Sequence, residues 1–176
     1  MGVRMVDGRK SWRIVPLVLL VAACGGGAGQ PGDVTMTIPF DTGTVRIVTA
    51  SDTVTLLAEI AASNDQHEVG LMERTRLDPN SGMIFVYPEP QPATDAFWMY
   101  RTKIPLDIAF VDSAGRIGTI LSMTPCESPN PDFCEAYQAG VRYQSALEVN
   151  LGFFASRGIA VGDQVLVDRA GPDSGH

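Results

Sequence analysis

From Val34 onward the chain alternates apolar and polar residues with a period of two. In Thr53–Ile60, Val54, Leu56, Ala58 and Ile60 fall on one face, with Thr55 and Glu59 opposite, the pattern of a half-buried strand. Val45–Val48 and Met83–Tyr87 are short runs of strand-forming residues. Ile104–Val111 and Ile117–Met123 flank Asp112-Ser113-Ala114-Gly115-Arg116, which reads as a hairpin turn with Gly115 free to take positive φ. Tyr143–Val149 alternates again, and Gln164–Val167 follows a Gly162-Asp163 turn. Helix is sparse. Asn64 or Asp65 is expected to cap a segment running to about Arg74, although Gly70 inside it costs about 1 kcal/mol against Ala. Gly152–Arg157 adds a turn or two. The spacing predicts a mostly β fold: a single compact β-sandwich or partly closed barrel over residues 34–170, one or two short helices, and a tail at 171–176.

The first 33 residues break this pattern. Arg4, Arg9, Lys10 and Arg13 precede ten residues, Ile14–Ala23, that are all apolar or Pro, the layout of a secretory signal peptide over residues 1–23. That run is too short to cross a bilayer, which takes about 20 apolar residues. Val21-Ala22-Ala23-Cys24 resembles the bacterial lipobox, and the resemblance implies cleavage ahead of Cys24 and acylation of its thiol and new amino group. Two or more acyl chains anchor a protein firmly where one does not. Residues 24–33 then form a Gly-rich tether. The expectation is an exported, membrane-anchored lipoprotein facing the periplasm or cell surface, with the membrane as one partner.

Composition narrows the function classes. The 176 residues include 18 Gly and 12 Pro, which favours short elements and excludes a coiled coil or repeat solenoid. Net charge is −7 for the full chain; residues 1–23 hold four basic residues and one acidic, so the mature charge becomes −10. Such a surface repels phosphate backbones and argues against a nucleic-acid partner. Cys126 and Cys134 enclose seven residues and, outside the cytoplasm, are expected to form a disulfide. The spacing is too wide for a C-x-x-C redox motif and no His adjoins either thiol. No GxSxG, HExxH or phosphate-cradling Gly loop occurs, and no cofactor or metal is expected.

Three motifs carry a family resemblance. They are Gly70-Leu71-Met72-x-Arg74 with Gly82-Met83-Ile84-Phe85; Phe97-Trp98-Met99-x-x-Thr102-x-Ile104-Pro105-Leu106-Asp107-Ile108-x-Phe110-x-Asp112; and Leu147-Glu148-Val149-x-x-Gly152 with Gly158-Ile159-x-x-Gly162-Asp163. Together, over about residues 45–168, they resemble the domain of unknown function 192 family of small bacterial and archaeal proteins. The resemblance implies a compact, mostly β fold, commonly exported, and no activity. The chain departs from the family at Tyr100-Arg101, where Lys-Asn is more usual.

Within the central motif Asp107 is the one ionisable group on an otherwise apolar strand face, and a buried carboxylate needs a partner or shifts its pKa. Arg74, Arg101, Lys103 and Arg142 are candidate partners, and satisfaction by backbone N–H groups is equally open. Pro105 places the start of this strand at an edge or bulge. Trp98 offers an aromatic platform for a flat ligand, whereas Phe97 and Met99 take the other side of their strand. His67 is the one histidine of the domain body. The candidate ligand-binding set is Asp107, Trp98, Arg74, Arg101, Thr102, Glu148 and His67. The leading expectation is a non-enzymatic domain binding a small ligand or envelope partner. One competing reading is a small hydrolase or lyase acting on carbohydrate or cell-wall material through Asp107 and Glu148, whose carboxyls would then face each other across about 5–9.5 Å. The other is a purely structural envelope protein.

Overall fold

The computed structural model describes residues 38–169. The expected signal peptide, the acylated Cys24, the tether and the 171–176 tail lie outside the described residues. The elements are β1 (Asp41–Val48), β2 (Thr53–Ala61), α1 (Asn64–Val69), β3 (Ser81–Gln91), β4 (Ala96–Trp98), β5 (Leu106–Val111), β6 (Ile117–Met123), β7 (Ala136–Gln138), β8 (Tyr143–Asn150), α2 (Phe153–Ser156) and β9 (Gln164–Arg169). Seven strands form one sheet in the order β6-β5-β8-β3-β2-β1-β9, and β4 pairs with β7 in a separate ribbon. The sheet curls until its two edges meet at one corner. There Arg116 bridges Gln164, and the Val165 N–H donates to the Gly115 carbonyl at 2.7 Å. No continuous ladder joins β6 to β9 among the described residues, so the sheet stays open.

The alternation in the sequence maps onto two cores. Val45, Ile47, Leu56, Ala58, Ile60, Ile84, Ala109, Val111, Leu147 and Val149 pack on one face with Phe153 and Phe154 of α2. Met83, Phe85, Leu106, Ile108, Phe110 and Ala146 pack on the other face with Leu71, Met99 and Tyr137. The central strands therefore bury both faces, and all six residues of β5 are buried. The second core depends on a covering layer built from distant segments: α1 with the loop after it, and the β4–β7 ribbon. That layer follows from topology. β2 and β3 run parallel, a parallel pair needs a long crossover, and here the crossover carries α1 and residues 70–80.

Helix α1 starts and stops differently from the sequence expectation. Its N-cap is Ser63 rather than Asn64 or Asp65, because Gln66 sits three residues on and closes a capping box. The Ser63 Oγ accepts from the Gln66 N–H at 3.3 Å, and the Gln66 Oε1 accepts from the Ser63 N–H at 3.0 Å. Gly70 is not an interior defect; with φ of 45° it ends the helix six residues in, where a side chain would be strained. A Cβ there would also stand 3.2 Å from the Phe85 ring. The hairpin β5–β6, the strand Tyr143–Asn150 and the turn at α2 form where the pattern placed them.

Cys126 and Cys134 are disulfide-bonded. The loop they close leans on the segment after β4: the Cys126 N–H donates to the Met99 carbonyl at 3.2 Å, and Tyr100 bridges Cys126. Reduction of this bond is expected to lower stability by about 2–3 kcal/mol, from the loop-closure entropy of a ring this small. A urea midpoint that does not move on adding reductant would contradict this.

Candidate functional site

The three sequence motifs, well separated along the chain, meet at one small cavity. Gly70, Leu71 and Met72 come from the loop after α1; Phe97, Trp98, Tyr100 and Thr102 from β4 and the segment beyond it; and Glu148 from β8. His67, Glu68, Val69 and Phe85 complete the lining. The space, about 30 Å³, is large enough for one or two waters.

Glu148 is the chemical centre of this cavity. Its place follows from register: it lies opposite Met83 of β3 on one side and Ile108 of β5 on the other, on the face of the second core. Residues paired across strands share a face with Cβ atoms about 4.5–5.5 Å apart, so both flanks of the carboxyl are apolar. The residue is 4% exposed. No described residue donates a hydrogen bond to the carboxyl, and burial alone pushes its pKa up to about 8. Thr102 is the other buried polar residue on this wall.

A strained clip joins two of the converging segments. Glu73 and Arg101 are the two non-glycine residues with positive φ among the described residues, at 61° and 58°. The Glu73 N–H donates to the Arg101 carbonyl at 2.8 Å, and the Arg101 Nε donates to the Glu73 Oε1 at 2.8 Å. Lys103 also pairs with Glu73. Hydrogen bonds from Lys103 and then Arg101 hold the Glu73 carboxyl below its ordinary range. Left-handed backbone at such residues costs on the order of 1–3 kcal/mol each and persists only where surroundings over-determine it. Here each strained residue is bonded to the other, which fixes the loop after α1 against the segment after β4.

The other sequence candidates are spread around this centre. Trp98 is 46% exposed and forms the outer rim, its ring 5.8 Å from that of Tyr100. His67 lies 3.0 Å through Nε2 from the Ala61 carbonyl and 4.5 Å ring to ring from Tyr87. Arg74 is not in the cavity; it pairs with Glu59 at 2.6 Å in a separate cleft shared with Arg76 and Asp78. Arg101 serves the clip.

Asp107 is placed differently from the expectation. It pairs with Val149 across β5–β8, on the sheet face opposite Glu148. None of the four cations considered reaches it. Its Oδ1 accepts from the Ser122 Oγ at 2.7 Å and its Oδ2 from the Gly152 N–H at 2.8 Å. The carboxylate thus ties β6 to the turn that begins α2, and it does not line the Glu148 cavity. Because the two carboxyls point through opposite faces of one sheet, they do not flank a common substrate. The hydrolase reading through Asp107 and Glu148 is set aside on that ground.

A second cleft adjoins the first and was not read from the sequence. It shares His67, Phe97 and Trp98 with the Glu148 cavity and adds Tyr87, Gln91, Asp95 and Tyr143. Burial raises the pKa of Tyr87, and both Glu148 and Asp95 contribute to the same rise. Burial, then the charge of Asp95, pushes Tyr143 up to about 12. Alternation was the available signal: Met83, Phe85 and Tyr87 share one face of β3, the face Glu148 shares. Among the described residues no three His, Cys, Asp or Glu side chains gather as a metal site.

Comparison with known proteins agrees with this architecture. A crystal structure of a Sinorhizobium meliloti protein, described as a candidate transcription regulator, is 32% identical over 74% of this chain and 97% of its own, with a TM-score of 0.67. A Novosphingobium aromaticivorans protein of unknown function is 32% identical over 70% of this chain and 83% of its own, with a TM-score of 0.63. No curated protein matches the chain. The family model for domain of unknown function 192, described as an uncharacterized ACR, matches residues 46–167, a span that includes the cavity and all of both sheets but the start of β1 and the end of β9. The chain belongs to the domain of unknown function 192 family.

Proposed function

We propose that this chain is an exported, lipid-anchored binding domain that holds a small ligand in the Glu148 cavity. The observation that carries the reading is the convergence of all three motifs on one cavity whose wall includes the carboxyl of a buried residue, Glu148, to which no described residue donates a hydrogen bond. No buried side-chain oxygen is left unpaired among the described residues, so the Glu148 oxygens face the cavity space, where a ligand donor can reach them. Asp107, by contrast, is fully engaged within the fold. Trp98 at the rim supplies a face for the outer part of the ligand. The regulator description of the Sinorhizobium protein is not carried over, because a chain with an acidic surface gains nothing from phosphate contacts.

The binding reading is tested by a thermal-shift screen of the full chain against sugars, short peptides, amines and neutral alcohols. At least one class is expected to raise the melting temperature of the wild type and not of Glu148→Gln. A panel that shifts both proteins equally would remove the site. The anchor has its own test: Cys24→Ser is expected to release the chain from the membrane fraction, and unchanged fractionation would contradict the lipid attachment.

A further inference from the structure

We infer that the Glu148 cavity receives the primary ammonium group of a small organic amine, whose carbon chain runs along Trp98, Phe97 and His67 toward Asp95. The inference rests on the binding reading above and names its ligand class. Three features of the site point the same way.

The first is the size and seat of the cavity. Its roughly one- or two-water volume admits an ammonium head and excludes a ring. The acceptor in its wall is the carboxyl of Glu148, a residue 4% exposed whose oxygens no described residue bonds and which face the cavity. A ligand cation satisfies that acceptor with a charge-assisted hydrogen bond, which is roughly twice as strong as a neutral one. The second feature is charge. Among the described residues no Lys or Arg lines either the Glu148 cavity or the adjoining cleft, while Glu148, Glu68 and Asp95 do. A cleft of one sign with low-dielectric walls concentrates the opposite charge. The third is the wall shared by the two spaces, made of His67, Phe97 and Trp98, with Tyr100 on one side and Tyr87 and Tyr143 on the other. Aromatic faces attract cations and pack against methylene chains. A chain that carries a second ammonium meets Asp95 at its far end, so an α,ω-diamine is expected to outbind the monoamine of equal length.

Binding also moves a proton. Near neutral pH the Glu148 carboxyl is largely protonated, because burial pushes it up to about 8. An ammonium ligand pairs with the carboxylate, so the carboxyl proton leaves to solvent as the complex forms. The titratable groups facing Glu148 are His67 and Glu68 from α1, Tyr100 from the segment after β4, and Tyr87 from β3, whose hydroxyl feels the Glu148 charge. Its strand partners Met83 and Ile108 carry no charge.

The test is titration calorimetry on the full chain in detergent, in two buffers of different ionisation enthalpy. The probes are pentan-1-amine, pentane-1,5-diamine and pentan-1-ol. The amine is expected to bind at least about tenfold tighter than the alcohol, to release close to one proton at pH 7, and to tighten about tenfold from pH 6 to pH 7. Glu148→Gln should erase the preference for amine over alcohol, and Asp95→Asn the advantage of the diamine. Trp98→Ala, a change at an exposed rim residue, should weaken the amine several-fold and provides a folded variant independent of Glu148. Equal binding of amine and alcohol to the wild type, with both weakened in Glu148→Gln, would overturn the ammonium assignment and leave the pocket standing. If neither amine binds while another class in the wider panel does so in a Glu148-dependent way, the assignment likewise fails and the pocket stands. If no class depends on Glu148, both fall together.

Discussion

Glu148→Gln is expected to remove a pH-dependent loss of stability of about 5 kcal/mol, the span opened by a carboxyl pKa that rises from 4.5 in the open chain to about 8 in the fold. Between those two pH values the folded chain keeps the Glu148 proton while the unfolded chain has lost it. The unfolded chain thus binds fewer protons, and stability falls with rising pH. The loss accumulates at about 1.4 kcal/mol per pH unit and levels off above the folded pKa. Other carboxylates also shape the wild-type curve, so the informative quantity is the difference between the two proteins. Urea unfolding at pH 5, 6, 7 and 8 should show the Gln variant gaining on the wild type at each step. Parallel curves would mean that Glu148 is solvated or paired.

Asp107→Ala is expected to destabilise the fold by about 3–5 kcal/mol, since two hydrogen bonds to a charged acceptor are lost together. The Gly152 N–H and the Ser122 Oγ would both lose their acceptor, one at the turn into α2 and the other on the edge strand β6. Asp107→Asn keeps an amide oxygen for Gly152 and a donor for Ser122, and should lose only about 1 kcal/mol. The urea midpoint separates the two variants. Ligand affinity at the Glu148 cavity should stay as in the wild type for Asp107→Asn, because the two side chains leave opposite faces of the sheet. If Asp107→Asn abolished binding while leaving the midpoint in place, Asp107 would belong to the ligand site after all.

The two carboxylates also mark what the sequence could and could not convey. In β5 the alternation of Leu106, Ile108 and Phe110 against Asp107, Ala109 and Val111 assigned the faces correctly, because a strand has only two. Asp107 drew attention as the one charge on an apolar face. Its answer is a serine fifteen residues on and a backbone N–H forty-five residues on, partners with no pattern of their own. Glu148 is a candidate by its motif, yet the alternation of its strand does not tell whether its face is covered. It is buried because a layer covers that face of the sheet, and the layer is assembled from α1, the loop after it and the β4–β7 ribbon. Three-residue strands such as Ala136–Gln138 carry too few residues for a period to show. The strained pair Glu73 and Arg101 was invisible for a related reason, since neither residue type announces positive φ. The strands, the hairpin and the disulfide were legible because each depends on neighbours close in sequence.

Titration of the Glu148 side-chain carboxyl by carbon-13 NMR, assigned by its loss in Glu148→Gln, reaches the central feature of this molecule most directly. A midpoint of about 8 is the result expected of a glutamate buried between Met83 and Ile108 to whose carboxyl no described residue donates. A midpoint near 4.5, the ordinary glutamate value, would mean that the carboxyl is hydrated or paired and that the motifs meet for packing alone.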